Sequence, residues 1–328
     1  MSKFEIFDKR QGHYIMRKLP IVFNFNESYV VQAGVCITSL LENINKDFFC
    51  DIFIMHSSNR LTEQGKRKII SLKNIYKNCD FTFLDVKDSF KDIDINTSGT
   101  VPIDAYFRLL ISEYIKNYDK VIYSDVDIVF TKDISSVVNI DVSNYYCAAV
   151  CADFIGKYEL DYINSLGLEE KNYVNAGFLL LNIDKIRKED VFNKKILPLL
   201  NRSYLFQDQD IINLAFKGGI LNISQKYNYI TSKSKYNNTY LSIDPAVFHY
   251  VEYKPWNDLV PFNDIWWEYY RKSIFFDDCF YKDYHIDIFN EYIKYHSLLK
   301  LLKRVGILGV YSFLATIIPR KIKNLLKK

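Results

Sequence analysis

The sequence has no Cys-X-X-Cys pair, no apolar run long enough to cross a bilayer, only 11 glycines and 3 methionines, and no acidic residue beyond Glu291. Cys36, Cys50, Cys79, Cys147, Cys151 and Cys279 lack metal-ligand spacing, and most sit inside apolar runs, as buried reduced thiols do. The longest apolar stretch, Val305 to Ile318, is 14 residues, against the roughly 20 needed to span a membrane. The opening MSKFEIFDKRQGHY is charged throughout and offers no apolar core for a signal peptide. These absences together lead us to expect a cytosolic protein.

What is present is globular. Hydrophobic residues make up 49% and charged residues 25%, which excludes a disordered chain. The 328 residues suit one large α/β domain with a modest C-terminal extension. Aromatics are plentiful, with 26 Tyr and 24 Phe, enough to fill a core and leave rings for stacking on a ligand. The net charge of +4 is unevenly spread. Nine basic residues follow Glu291, so the remainder carries −5. A mildly acidic body speaks against nucleic acid, while the basic tail points to an anionic surface.

Apolar and helical stretches alternate along the first half. Ile21–Phe25, Cys50–Met55, Phe81–Val86 and Lys120–Ser124 read as strands. Tyr29 to Glu42, Thr62–Tyr76 and Asp104 to Tyr118 read as helices, with Thr62 as an N-cap. Such alternation implies crossover units and a mainly parallel sheet, with ligands beyond the carboxyl ends of the strands. Further on, Tyr146–Cys151, Phe178–Asn182 and Ile220–Ile223 read as strands and Gln209–Phe216 as a helix. We expect a catalytic domain over 1–261 and a helical, aromatic and basic extension over 262–328.

Asp125 and Asp127 end the strand Lys120–Ser124. Residues i and i+2 of extended backbone project to one side, so the two carboxylates face one point. A divalent cation relieves their repulsion, and oxygen ligands favour Mg²⁺ or Mn²⁺ shared with substrate phosphates. The same run, VIYSDVDIVF, also fits a haloacid dehalogenase-type phosphatase, with Asp277-Asp278 as a late acidic pair. That motif normally follows the first strand of its domain, whereas three strand–helix units precede it here.

Further blocks occur in order: Tyr106-Phe107-Arg108, Tyr173-Val174-Asn175-Ala176-Gly177, Gln207-Asp208-Gln209-Asp210, and His249-Tyr250 before Lys254-Pro255-Trp256. With the Asp-X-Asp they resemble glycosyltransferase family 8 over about residues 20–260, nearest its bacterial lipopolysaccharide and lipooligosaccharide core α-galactosyl- and glucosyltransferases. The resemblance implies a GT-A fold, a mixed and mainly parallel Rossmann-like sheet flanked by helices. It also implies a UDP-hexose donor, Mn²⁺ with Mg²⁺ as the alternative, and retention of anomeric configuration. Asp125, Asp127 and His249 would hold the metal. Asn26, Ser28, Tyr29, Arg108, Asp125, Asn175, Ala176, Gly177 and Lys254 would bind the donor. Asp208 would take sugar hydroxyls and Gln209 would lie near the anomeric carbon, with Asp210 in support. A non-catalytic nucleotide-sugar-binding relative is the remaining alternative.

The sequence departs from the family pattern twice. Asn26 and Ser28 stand where the family usually has Asp and Asn near the nucleoside. The family's His-Tyr-X-Gly-Pro-X-Lys-Pro-Trp has lost one residue and its glycine, and Glu252 stands close by. Finally, Tyr292–Lys328 combines leucines with basic residues. It is expected to lie on the inner face of the cytoplasmic membrane, where a lipid-linked saccharide acceptor would be found. Trp256, Trp266, Trp267, Tyr269 and Tyr270 suit either an acceptor platform or the core.

Overall fold

The structure, a computed structural model, describes residues 16–91, 93, 95, 103–152, 156–232 and 240–304. The Val305–Ile318 run and the basic residues from Arg320 onward lie outside them. Along the chain run β1 (Arg17–Asn24), α1 (Val30–Asn43), β2 (Phe48–His56), α2 (Glu63–Ile70), β3 (Cys79–Asp85), a 3-10 segment Ile103–Leu110 continuing into α3 (Ile111–Tyr114), and β4 (Lys120–Ser124). Then follow β5 (Ile128–Phe130), β6 (Cys147–Cys151), α4 (Lys157–Ser165), β7 (Val174–Asn182), α5 (Ile183–Lys188) and α6 (Asp208–Ala215). After these come β8 (Ile220–Asn222), β9 (Tyr229–Ile230), α7 (Tyr240–Ile243), β10 (Val247–His249), α8 (Asn263–Lys272) and α9 (Asp278–Arg304).

Seven of the described strands form one sheet in the order β3-β2-β1-β4-β7-β6-β8. Every neighbouring pair is parallel except those made by β7, which runs against both β4 and β6. Alternate side chains serve two cores. Leu19, Ile21, Phe23, Ile122, Phe178 and Leu180 join one apolar cluster with α1 and α2. Val22, Val121, Tyr123, Leu179 and Leu181 join the other with Ile103–Leu110, α3, α5 and α6. Burial on both faces explains why these strands read as unbroken apolar runs.

Two helices differ from expectation. Thr62 does cap α2, accepting from Gly65 N at 3.0 Å, but α2 stops at Ile70 and continues as a 3-10 turn over Ser71–Asn74. The segment from Ile103 is also 3-10 rather than α for its first eight residues. Three residues per turn stack Asp104, Phe107 and Leu110 in one row and Ala105 and Arg108 in the next.

The described chain divides into two compact units, one of residues 16–255 and 260–275, the other of 256–259 and 276–304. In the larger unit α8 buries Trp266, Trp267, Tyr269 and Tyr270, so these rings belong to its interior. In the smaller unit Tyr284 Oη donates to Asp258 O at 2.9 Å. Helix α9 starts at Asp278, with Asp277 Oδ1 accepting from Phe280 N at 3.0 Å and Asp278 pairing with Lys282 at 2.5 Å. Among the described residues no helix is long and apolar enough to cross a membrane.

Candidate active site

Chain direction gathers the site. β4 ends at Ser124, opposite Phe178 of the antiparallel β7. Asn175 to Gly177, near the start of β7, therefore stand at the carboxyl end of β4, and Asp125 N donates to Gly177 O at 2.8 Å. A second sheet adds the histidine. β5 begins one residue after Asp127 and pairs antiparallel with β10, setting His249 against Ile128. Tyr250 N then donates to Asp127 O at 3.0 Å.

His249 Nε2 lies 3.2 Å from Asp127 Oδ1 and 3.8 Å from Asp125 Oδ2. One ligand atom from each of the three residues falls within 4.8 Å of the others. Asp127 Oδ1 is buried and has no hydrogen-bond partner. Two carboxylates and an imidazole with an unsatisfied buried oxygen among them suit a hard to borderline divalent cation. Lys254 Nζ also bonds Asp127 Oδ2. Burial alone would raise the Asp127 carboxyl, but opposing charge, that of Lys254 first, holds it well below the usual carboxylate range.

Gly177 is where the packing is tightest. A Cβ there would sit 2.8 Å from His249 Nδ1 and 2.9 Å from Asp125 Oδ2, and still closer to His249 Cε1. The family resemblance puts Ala176 and Gly177 against the donor. The approach observed is that of His249 and Asp125.

Arg108, with 9% of its side chain exposed, reaches across the site. Its Nη2 pairs with Asp125 Oδ1 at 2.8 Å, its Nε with Asp208 Oδ2 at 3.0 Å, and its Nη1 donates to Ala176 O at 2.8 Å. The guanidinium stands 4.6 Å from the centre of the Tyr123 ring. Burial pushes Asp208 up to about 6, with Arg108 opposing and Asp125 adding to the rise.

Helix α6 is positioned by its own sequence. Asn213 receives Val174 N at 2.8 Å and donates to Val174 O at 2.9 Å. One turn earlier, on the same face, Gln209 Oε1 accepts from Asn175 Nδ2 at 3.0 Å and Ala176 N at 3.2 Å. Just before the helix, Gln207 adopts φ 51°, a conformation that costs a non-glycine residue about 1–3 kcal/mol. Asp210 accepts from Tyr162 Oη at 2.7 Å, Tyr173 Oη at 2.5 Å and Phe206 N at 2.8 Å, so it is held within the fold.

At the other end of the cleft Asn26 Oδ1 accepts from Ser28 N at 3.1 Å and Ser28 Oγ at 2.6 Å. Its Nδ2 donates to Asp104 Oδ2 at 2.9 Å, which also pairs with Arg60 at 2.9 Å. An aspartate at position 26 would have faced Asp104 charge to charge; the amide supplies a donor instead.

The residues expected to hold the metal, bind the donor or face the sugar, Ser28 excepted, line one cleft of about 730 Å³, a size that suits a small-molecule site. Ser28 instead holds Asn26. Glu252 is exposed and also lines the cleft. Sequence reasoning passed over several residues. Asn24 donates to Asp104 O at 2.6 Å, and Tyr123 Oη stands 2.6 Å from Asp125 Oδ1. Asn228 Oδ1 lies 2.8 Å from His249 Nδ1. A polar residue closing the apolar strand IVFN was a usable signal for Asn24, whereas Asn228, between two tyrosines, offered none. The Asp277-Asp278 pair of the phosphatase reading does the local work of starting α9.

Residues 20–260 match the family described as glycosyl transferase family 8. A Haemophilus influenzae protein named as a glycosyltransferase is 33% identical over 211 residues, 64% of this chain and 62% of that protein. The chain thus spans less than two thirds of that relative's length. A lipopolysaccharide 1,2-glucosyltransferase of Escherichia coli is 24% identical over 259 residues, 73% of each chain. Among solved structures, the galactosyltransferase LgtC in complex with donor and acceptor sugar analogs superposes with a TM-score of 0.65 at 23% identity, over 78% of this chain and 96% of the other. The two share the GT-A fold.

Proposed function

The chain belongs to glycosyltransferase family 8, and from that premise we propose that it is a retaining hexosyltransferase that moves galactose or glucose from a UDP-sugar to a saccharide acceptor of the lipopolysaccharide or lipooligosaccharide core. The observation that carries this reading is the convergence of Asp125, Asp127 and His249 with Arg108, Asp208 and Gln209 on one cleft. The name of the Escherichia coli relative supports the acceptor class.

Asp125, Asp127 and His249 would hold a divalent cation, Mn²⁺ first and Mg²⁺ as the alternative. When bound, such a cation offsets the charge that builds on a departing diphosphate. Lys254 and Arg108 supply further positive charge in the same cleft, aimed at that charge as it develops. Asn26 and Tyr29 would flank the nucleoside, with Asn175, Ala176 and Gly177 along the donor. Asp208 would accept hydrogen bonds from hydroxyls of the hexose.

Gln209 faces the anomeric carbon in this reading, with its oxygen already accepting two hydrogen bonds. An amide so engaged is a poor nucleophile, which favours attack from the face the leaving group vacates. The bond from sugar to phosphate oxygen breaks with its electron pair on the phosphate, and the acceptor oxygen forms the new bond. The acceptor's proton passes to that phosphate oxygen. Gln209→Ala should slow transfer at least about tenfold, the scale of one positioning contact, and leave UDP affinity unchanged by calorimetry. Lost UDP affinity would make Gln209 a binding residue instead.

Asp208 gives a pH signature. Its folded value of about 6 lies above the ordinary 3.8, so the folded state holds this proton more tightly than the unfolded one. Its contribution to stability is full below pH 3.8 and fades as pH rises through 6. A cation on Asp125 removes part of the charge that raises Asp208. Mn²⁺ titration at pH 6 should therefore release a fraction of a proton, read from calorimetry in buffers of different ionisation enthalpy. Asp208→Asn should release less. Equal release from both proteins counts against the assignment.

Helix α9 exposes Ile286, Phe289, Tyr292 and Ile293, and nine basic residues follow Glu291. Each basic residue near an anionic leaflet contributes about 1 kcal/mol, so peripheral binding to the inner membrane face is the proposed location. Truncation before Lys300 should move the protein from vesicles containing anionic lipid into the supernatant. Unchanged sedimentation would leave the tail without this role.

The class itself is tested by UDP release over a panel of nucleotide sugars, with Mn²⁺ and with chelator. Slow, Mn²⁺-dependent hydrolysis of one UDP-hexose is expected. No release from any UDP-hexose, with or without saccharide acceptors, would overturn the reading.

A further inference from the structure

An unbroken line of side-chain hydrogen bonds runs from Asp210 to the histidine. Phe206 N, Tyr162 Oη and Tyr173 Oη all point at the Asp210 carboxylate. Tyr173 Oη thus spends its proton on Asp210 and accepts from Gln209 Nε2 at 3.3 Å. The Gln209 oxygen must then face the other way, where Ala176 N and Asn175 Nδ2 donate to it. Asn175 Oδ1 in turn accepts from Gly177 N at 2.9 Å and Asn228 Nδ2 at 2.8 Å. Asn228 is left with only its oxygen to offer His249 Nδ1, 2.8 Å away.

The direction of every amide is fixed independently of how O and N are told apart. A carboxylate that only accepts closes one end, and two backbone N–H groups, which only donate, anchor the amide oxygens of Gln209 and Asn175. We infer that Asn228 is a positioning residue that keeps the proton of His249 on Nδ1 and so presents the Nε2 lone pair to Asp125 and Asp127. Asn228 is 2% exposed and His249 likewise 2%, so water does not replace this contact. An outer partner of this kind fixes the ring and tautomer of a metal-binding histidine. The inference rests on the reading that Asp125, Asp127 and His249 hold a divalent cation.

The test uses the full chain, metal-free, with ¹⁵N-labelled histidine, at pH 8. The protein has five histidines, and His249→Gln identifies the signal of His249. Long-range ¹H–¹⁵N spectra should show Nδ1 protonated in the wild type. In Asn228→Ala and Asn228→Leu that preference should be lost, and Mn²⁺ affinity in the presence of UDP should fall by about 10- to 100-fold, the usual loss for such a partner. An unprotonated Nδ1 in the wild type overturns the inference without any variant needing to fold. So does a variant that folds and keeps both the tautomer and the affinity. If the wild type shows the Nδ1–H tautomer and both variants lose it, but Mn²⁺ does not bind, the relay stands and the cation reading falls.

Discussion

Gly177→Ala is expected to lower Mn²⁺-dependent UDP release by at least about a hundredfold, the effect of misplacing reacting groups by an ångström or so. The added methyl has nowhere to go. Its position is 2.8 Å from His249 Nδ1 and 2.9 Å from Asp125 Oδ2, and the residue is fixed on both sides. Gly177 N donates to Asn175 Oδ1 and Gly177 O accepts from Asp125 N. Relief has to come from the imidazole or the carboxylate, which are two of the three proposed ligands. Overpacking of this sort costs about 1–3 kcal/mol, which a domain of this size tolerates. The variant should therefore fold, show nearly unchanged circular dichroism, and bind Mn²⁺ weakly. Wild-type Mn²⁺ affinity in a folded Gly177→Ala protein would sink the assignment of His249 and Asp125 as joint ligands.

That glycine shows how far the sequence could be read. The strand Lys120–Ser124 stands within the bounds its composition suggested, and the rule that ligands lie beyond strand carboxyl ends located Asp125 and Asp127. Local pattern carries such information because burial on both faces writes a continuous apolar run. The direction of β7 is not local. Nothing in FLLLN says that it runs against β4, yet that reversal is what lets Asn175, Ala176 and Gly177 meet Asp125. β10 is three residues long, too short for any period to register, and His249 is placed only by its pairing with Ile128. The resemblance to a known family named His249 and Gln209 where residue pattern alone gave neither a role. It did not reach Asn228, Asn24 or Tyr123, whose roles rest on hydrogen bonds between elements far apart in the chain. The 3-10 geometry of Ile103–Leu110 was likewise hidden, since an α-helix and a 3-10 helix of eight residues share much the same apolar pattern.

Arg108→Met is expected to cost about 3–5 kcal/mol, the usual result of removing one partner from a buried charge network. For a domain of this size that corresponds to a fall in Tm of roughly 5–10 °C. Burial would lower the guanidinium's own proton affinity, but Asp125 and Asp208 outweigh it and keep the charge in place. Without that charge Asp208 stays buried and Asp125 half-buried, each with one partner fewer, and Asp208, already near 6, moves higher. The sign of the pH effect follows. A raised folded value favours the folded state at low pH and penalises it as pH rises past that value, so the deficit should be largest near pH 8 and shrink near pH 5, where Asp208 takes up its proton. Arg108→Lys keeps the charge, but one ammonium cannot span Asp125, Asp208 and Ala176 O together. Its deficit should fall between wild type and methionine and depend less on pH. Thermal unfolding of the three proteins at pH 8 and pH 5 reads this directly, and equal deficits of Arg108→Met at the two values would show that Asp208 is not the group left exposed to the loss.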